Sequence, residues 1–389
     1  MQPDCDLIIL GGGCAGLSLG LRLAESAGSL QKIIILEQRS HYENDRTWCF
    51  WRMEAHRFEH LIEQSWSTMA VRSFKSATLL DCSKTPYQVL PADRFYTYTV
   101  DKIKASAIVD LRMNMDVLDT PIKRGEHWHV ATNDGVLTSL YVVDTRSRRQ
   151  PLSNDAVLWQ SFLGHEIISE TEIFDPETVE LMDFQSGFGG NVHFSYTLPF
   201  SKTRALVETT VFGPDRLDAG ALAGVQAANI SRLLGGAKFK IHRTENGILP
   251  MGVTRSASLA ECGYVQVGLF HGGARPGTGY AFQRIQRWAD DCAAEIRQGR
   301  MPCGHRSDPL ATRLMDSLFL KVLRSSPERG AEIFTTLFKR VDPSRIIRFL
   351  SDLATPVDRA SVVAALPPSL FLKQLLTNVF TLFASGVRR

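Results

Sequence analysis

Glu208 is the residue whose setting most suggests chemistry. It stands in TRALVETTVF, residues 203–212, a run of apolar and β-branched residues that predicts a strand. Strand residues two apart share a face, so Glu208 lies with Leu206, Thr210 and Phe212. A carboxyl group on such a face is costly to bury unless it is ion-paired or keeps its proton. In the first case it is a salt-bridged sheet residue, with Arg204 or Lys202 as partner. In the second it is an acid of raised pKa, suited to giving up a proton in a dry pocket. The residue pattern alone allows both.

A second constellation is Gly11-x-Gly13-x-x-Gly16, within LIILGGGCAGLSLGLRLAE. A buried strand precedes it, a helix opens on it, and Glu37 ends the next strand about twenty residues later, as in a dinucleotide-binding βαβ unit. Gly11 permits the tight turn and Gly13 lets backbone approach a pyrophosphate. Gly16 allows close helix–strand packing, and the helix N-terminus offers N–H groups to phosphate. Glu37 suits the ribose hydroxyls of FAD or NAD rather than NADP, and the chain length favours FAD. Two later segments extend the pattern: YVVDTRSRRQP with Asp144, and YVQVGLFHGGARPGTGY with Gly268, Pro276 and Gly279. Each is either a loop folded over the flavin or an ordinary Gly/Pro connection.

These residues need elements to hold them. Residues 6–37 read as strand, helix, strand, whereas 38–52, polar and aromatic without a period, read as a loop. PADRFYTYTVDKIKASA reads as a helix, and short strands from Met115 to Val143 form a meander. Residues 155–213 are strand-rich, with NVHFSYTLPF and TRALVETTVF joined at Ser201-Lys202 as a hairpin. YAFQRIQRWADDCAAEIR is helical, and beyond residue 306 the chain is helical and basic. The expected class is α/β. A Rossmann-like FAD-binding domain of the two-dinucleotide-binding-domain flavoprotein type occupies 1–150, completed by 246–300. A β-sheet substrate domain takes 151–245 and a helical region 301–389.

Composition excludes more than it assigns. The 389 residues carry a net charge of +3 and no Lys/Arg block interleaved with aromatics, so nucleic acid is not an expected partner. Seven scattered cysteines without a CxxC pair argue against disulfides and against zinc, and fit a reducing cytoplasm. Cys303-Gly-His305 lacks a second ligand pair, so no metal is expected. No signal peptide and no transmembrane helix are expected. The tail SLFLKQLLTNVFTLF is either an amphipathic segment at a membrane interface or a helical cap on the sheet domain.

In this order, the segments resemble the bacterial flavin-dependent lycopene β-cyclases. The matching pieces are GGGCAGLSLGLRLAE, NDRTWCFW, YVVDTRSR, WQSFLGHEI, FSYTLPFSKTRALVETTVF, NGILPM and ARPGTGY, between residues 9 and 280. The resemblance implies that Glu208 is the catalytic acid and that FAD, reduced by NAD(P)H, serves a redox-neutral isomerisation. It implies cofactor contacts at Gly11, Gly13, Gly16, Glu37, Arg46, Asp144, Gly268, Pro276 and Gly279. Trp48, Phe50, Phe194 and Tyr196 are candidates for lining the substrate channel or for plain core packing. The substrate implied is lycopene or a related acyclic carotenoid, met at the inner membrane surface.

Three departures stand out. Thr209 replaces the second acid often found after Glu208, Arg275 stands where some members have His, and NDRTW replaces NHTW. Other readings are an FAD-dependent monooxygenase, a prenyl-chain reductase, or a flavin-binding protein without catalysis. The first two usually show Asp-Gly after the strand and Gly-Asp in the late loop, where this chain has VVDTRSR and VGLFHGG.

Overall fold

The computed structural model describes residues 2–26, 28–146, 156–184, 189–252 and 262–376. Residues 147–151 of the Asp144 segment and 377–389 of the tail lie outside these.

The first sheet is built on Cys5–Leu10, whose continuous apolar run is buried on both faces, as a central parallel strand requires. It pairs in parallel with Ile33–Leu36 and with Gly135–Asp144. Val109–Arg112 extends one side, and the meander of His127–Thr132 and Ile122–Arg124 extends the other. Tyr264–Gln266 joins Gly135–Asp144 in parallel, so the late segment does return to the first sheet.

The second sheet has seven strands. Their order is Phe239–Met251, Leu158–Ser169, Arg204–Gly213, Val192–Pro199, Thr178–Phe184, Thr68–Ser73, Ser76–Asp81. Its last two strands come from within 1–150, because Thr68–Ser73 pairs in parallel with Thr178–Phe184. Its first strand runs on to Met251. The sheet therefore crosses both boundaries expected at 151 and 245. Thr47–Trp51, read as loop, is a strand paired with Tyr87–Pro91, which also holds Gln64–Trp66. The β-branched and aromatic run TWCFW favours extension although it is too short to show a period.

Alternation along Arg204–Gly213 divides the sheet's labour. Odd-numbered residues face helix Ala219–Leu234. There Thr209 donates to Gln226 Oε1 at 2.6 Å, and Asn229 Nδ2 donates to Thr209 Oγ1 at 2.7 Å. Gln226 Nε2 also donates to the Val207 carbonyl at 2.7 Å, so this buried polar cluster is satisfied. Even-numbered residues, Glu208 among them, face the other way.

Over that front face lie the helices Leu310–Ser325, Gly330–Arg340, Pro343–Leu350 and Pro356–Ala365, followed by helical residues 368–376. Leu320, Ile333, Phe334 and Phe338 share one core with Phe194, Leu206 and Phe212. The helices are tied to the late loop by Arg275, which is 1% exposed. Its guanidinium meets Asp316 in a two-point contact of 3.1 and 3.0 Å and stacks on Phe349 at 4.3 Å. Asp316 Oδ2 also accepts from the Gly277 N–H at 3.1 Å.

Candidate active site

A cavity of about 1710 Å³ opens between the two sheets and the C-terminal helices. That exceeds the roughly 300–1,000 Å³ of a site for one drug-sized ligand, so it has room for a dinucleotide and a second molecule. Gly11, Gly13, Glu37, Asp144 and Gly268 border one end, and Leu206, Phe212, Phe319, Phe334 and Leu337 the other.

At the first end, Gly11 has φ +92° in the turn after Cys5–Leu10. A Cβ on Gly16 would lie 1.9 Å from the Gly11 carbonyl oxygen, so Gly16 serves packing behind the cavity wall. Helix Cys14–Glu25 begins at Gly13 without a side-chain cap, leaving N–H groups toward the cavity. Glu37 is buried; its carboxylate accepts from the Gly12 N–H at 2.7 Å and from Arg39 N and Nε at 2.9 and 3.0 Å. Asp144 is held by Arg146 at 2.7 Å and by the Tyr264 hydroxyl at 2.9 Å. Arg46 reaches the Asn246 carbonyl at 3.3 Å.

The acid sits on the sheet that floors the other end. Register places Gly164 beside Glu208 on one side and Tyr196 on the other. Beyond Gly164, in the same row, stands Glu245. A Cβ on Gly164 would come within 3.2 Å of Glu245 Cγ and 3.6 Å of Glu208 Cβ, so a side chain there would crowd both acids. Thr210 donates to Glu208 Oε1 at 2.6 Å. Glu245 Oε2 accepts from Thr47 Oγ1 and from Arg243 Nη1, both at 2.6 Å.

The partners considered for Glu208 are engaged elsewhere. Arg204 pairs with Glu166 and Glu63, each at 2.7 Å, and Lys202 with Glu172 at 3.0 Å. Among the described residues no ion pair reaches Glu208. Burial, reinforced by the charge of Glu245, pushes its pKa up to about 8 against the pull of the Thr210 hydrogen bond. At neutral pH it is a carboxylic acid.

Of the aromatic candidates, Trp48, Phe194 and Tyr196 border the cavity. Phe50 does not: it is packed in the core, stacked on Phe282 at 5.1 Å with His56 edge-on at 5.2 Å. Pro276 also stands behind the wall, its carbonyl accepting from Gly252 N–H at 3.0 Å, whereas Gly279 borders the cavity. Sequence reasoning missed Glu245, one residue before the quoted NGILPM, because residues 239–251 lack a clean alternation. It also missed Tyr87, whose hydroxyl lies 3.1 Å from that of Tyr196. Burial raises both phenols well above their ordinary value, so they are neutral.

Comparison with known proteins fits this arrangement. A family model described as lycopene cyclase protein matches residues 6–375. The chain belongs to the lycopene cyclase family. A lycopene beta-cyclase of Paracoccus sp. is 31% identical over 240 residues, which cover 58% of this chain and 61% of that protein. The lycopene beta-cyclase of Pantoea ananas is 24% identical over 315 residues, 76% of this chain and 75% of the relative. Among solved structures, a flavin-dependent brominase superposes with a TM-score of 0.61 at 15% identity, covering 97% of this chain and 99% of its own. A geranylgeranyl bacteriochlorophyll reductase-like protein from Thermoplasma acidophilum gives 0.59 at 14% identity, with 95% of each chain covered. This lycopene cyclase family member thus has the α/β fold of FAD-dependent oxidoreductases and halogenases, with helices appended at its C-terminal end.

Proposed function

We propose that the protein is a lycopene beta-cyclase, converting the acyclic ψ end groups of lycopene or a related carotenoid to β-ionone rings. Two-ended cyclisation gives β-carotene by way of γ-carotene. The observation that carries the reading is a buried carboxyl group, Glu208, with no ion-pair partner among the described residues, on the floor of a largely apolar cavity that pushes its pKa up to about 8. Cyclisation requires a proton on an unactivated C=C bond, attack of a neighbouring double bond on the tertiary cation, and loss of a ring proton. No nucleophile and no net electron transfer are needed. Glu208 gives the proton, and its carboxylate is placed to take one back. The faces of Phe194 and Tyr196 border the same space and attract positive charge.

FAD fits the other end of the cavity. Gly11, Gly13, Glu37, Arg46, Asp144, Gly268 and Gly279 would border it, with Gly16 and Pro276 behind them. When bound and reduced by NAD(P)H, FAD supplies negative charge that favours a nearby cation. The fit rests on the close approach at Gly16 and the uncapped helix start. Gly16→Ala is expected to purify with little flavin, read from visible absorbance. Flavin at the wild-type ratio would count against this placement.

A hydrocarbon substrate must come from lipid. Val363, Leu372 and Leu375 both border the cavity and stand 56%, 58% and 49% exposed, which marks an apolar rim at its mouth. No helix among the described residues is long and apolar enough to cross a membrane. We place this rim on the surface of the inner membrane. Serine at all three positions is expected to weaken sedimentation with liposomes while flavin content holds. Undiminished sedimentation would reject the rim.

The function itself is tested in a lycopene-accumulating bacterial host, with pigments followed by chromatography. β-Carotene or γ-carotene is the expected product, and untouched lycopene overturns the reading.

A further inference from the structure

We propose that Glu245 is a positioning residue for Glu208, a fixed anion that keeps the acid loaded with its proton and promotes recovery of that proton in each cycle. This rests on the reading of Glu208 as proton donor. Thr209, where relatives often carry a second acid, faces helix Ala219–Leu234 and cannot reach the cavity. The second acid comes instead from the strand two places away in the sheet, across Gly164.

Glu245 is anchored in an ion pair. It is buried, with Arg243 Nη1 and the Thr47 hydroxyl both at 2.6 Å. Arg243 is itself fixed by Glu166 at 3.1 Å, the Asn44 carbonyl at 3.2 Å and Thr47 at 2.8 Å. Its charge is thereby committed to Glu166 and Glu245, and among the described residues no ion pair joins it to Glu208.

Among the described residues, the other groups set against Glu208 carry no charge. Its own strand presents Thr210, the neighbouring strands Tyr196 and Gly164, and the three-stranded sheet Tyr87 and Cys49. The late loop contributes Tyr280. Burial raises the Cys49 thiol and all three phenols above their ordinary values, so they are neutral. Arg46, half-exposed, is turned to the Asn246 carbonyl.

The pair has a chemical consequence. Once Glu208 has given its proton to an end-group carbon, two carboxylates face each other across a glycine. Like charges at that range disfavour the doubly ionised state, which strengthens Glu208 as a base. It takes the proton lost from the ring carbon, the cycle closes with one proton delivered and one recovered, and the product is an isomer of the substrate.

The test is an infrared titration of the carboxylic acid C=O band in the purified holoprotein, assigned by its loss in Glu208→Gln. It is run beside the pH profile of lycopene cyclisation in liposomes with reductant. In Glu245→Gln the band is expected to titrate at lower pH, with proton affinity about tenfold weaker or more. The alkaline limb of the activity profile moves with it, and activity lost near neutral pH returns on acidification. Glu245→Asp retains a high midpoint and Glu245→Leu does not, which keeps the comparison available if the Gln chain fails to fold. An unchanged midpoint in Glu245→Gln, or equal midpoints in Asp and Leu, overturns the proposal. A shifted midpoint in a protein that leaves lycopene intact upholds the role of Glu245 and rejects the substrate.

Discussion

Glu208→Gln is expected to leave lycopene uncyclised in a protein that still folds and still holds its flavin. Glutamine fills the same volume and keeps a hydrogen-bonding partner for Thr210, but it has no proton to give. Loss of a general acid costs on the order of 10²–10⁴-fold in rate. A value toward the upper end is expected, because among the described lining carboxyl groups Glu208 is the one whose pKa burial pushes up to about 8. The wild-type profile has a definite sign. With Glu208 as the proposed donor, the acid form is the active one, so cyclisation is expected to hold below pH about 8 and to fall above it. Stability follows the same group. Because the folded-state pKa is raised, the folded chain binds the proton more tightly than the unfolded one. The resulting stabilisation is present below the ordinary carboxylate range and is lost as pH rises to about 8. The Gln variant is therefore more stable than wild type in alkaline solution, by a few kcal/mol at order of magnitude. Urea melts at acid and alkaline pH check this, and cyclisation by the variant at the wild-type rate would remove Glu208 from the mechanism.

Asp316→Ala is expected to cost about 3 kcal/mol, the low end of the usual penalty for breaking a buried ion pair, because Asp352 stays within 3.7 Å of Arg275. Arg275 is 1% exposed, and its other contacts, the Phe349 carbonyl and ring, do not neutralise it; Asp352 is farther off, at 3.7 Å. The loss falls on the junction between late loop and helices, so a lowered urea midpoint should be accompanied by weaker flavin retention. Replacing both partners, as Arg275→Met with Asp316→Leu, should recover most of the stability, since the cost lies in the unpaired charge. A single variant as stable as wild type would show that the pair does not hold the helices.

The glycine turn was legible because its signal is local. Gly11, Gly13, Gly16 and Glu37 are close in sequence, and Gly11 is held to glycine by its φ of +92° and Gly16 by the Gly11 carbonyl packed against it. Glu208 was visible for a related reason: one charge in an apolar strand violates the alternation around it. What escaped was non-local. Glu245 joins Glu208 only through the register of two successive strand pairings, and nothing in TENGILPM announces which face it takes. Phe50 and Trp48 share one short strand and both stack on Phe282, far along the chain, yet only Trp48 of the two borders the cavity. Arg275 stood out as a departure, but its meaning required Asp316, 41 residues on. Thr209 likewise looked like a lost acid until helix Ala219–Leu234 showed that its side of the strand never meets the cavity.

The return of Tyr264–Gln266 to the first sheet bears on how the chain is made. Chains emerge N-terminus first, and segments fold as their contacts become available. The glycine turn at 11–16 leaves the ribosome well before the strand and loop that complete its sheet, which come some 250 residues later. Arg275 in that loop meets its counter-charge only after residue 316 has followed. During synthesis the glycine turn is thus an open half-site with one wall missing. A cofactor proposed to bind there would meet a closed site only after the late loop and the helices from Leu310 onward have joined it.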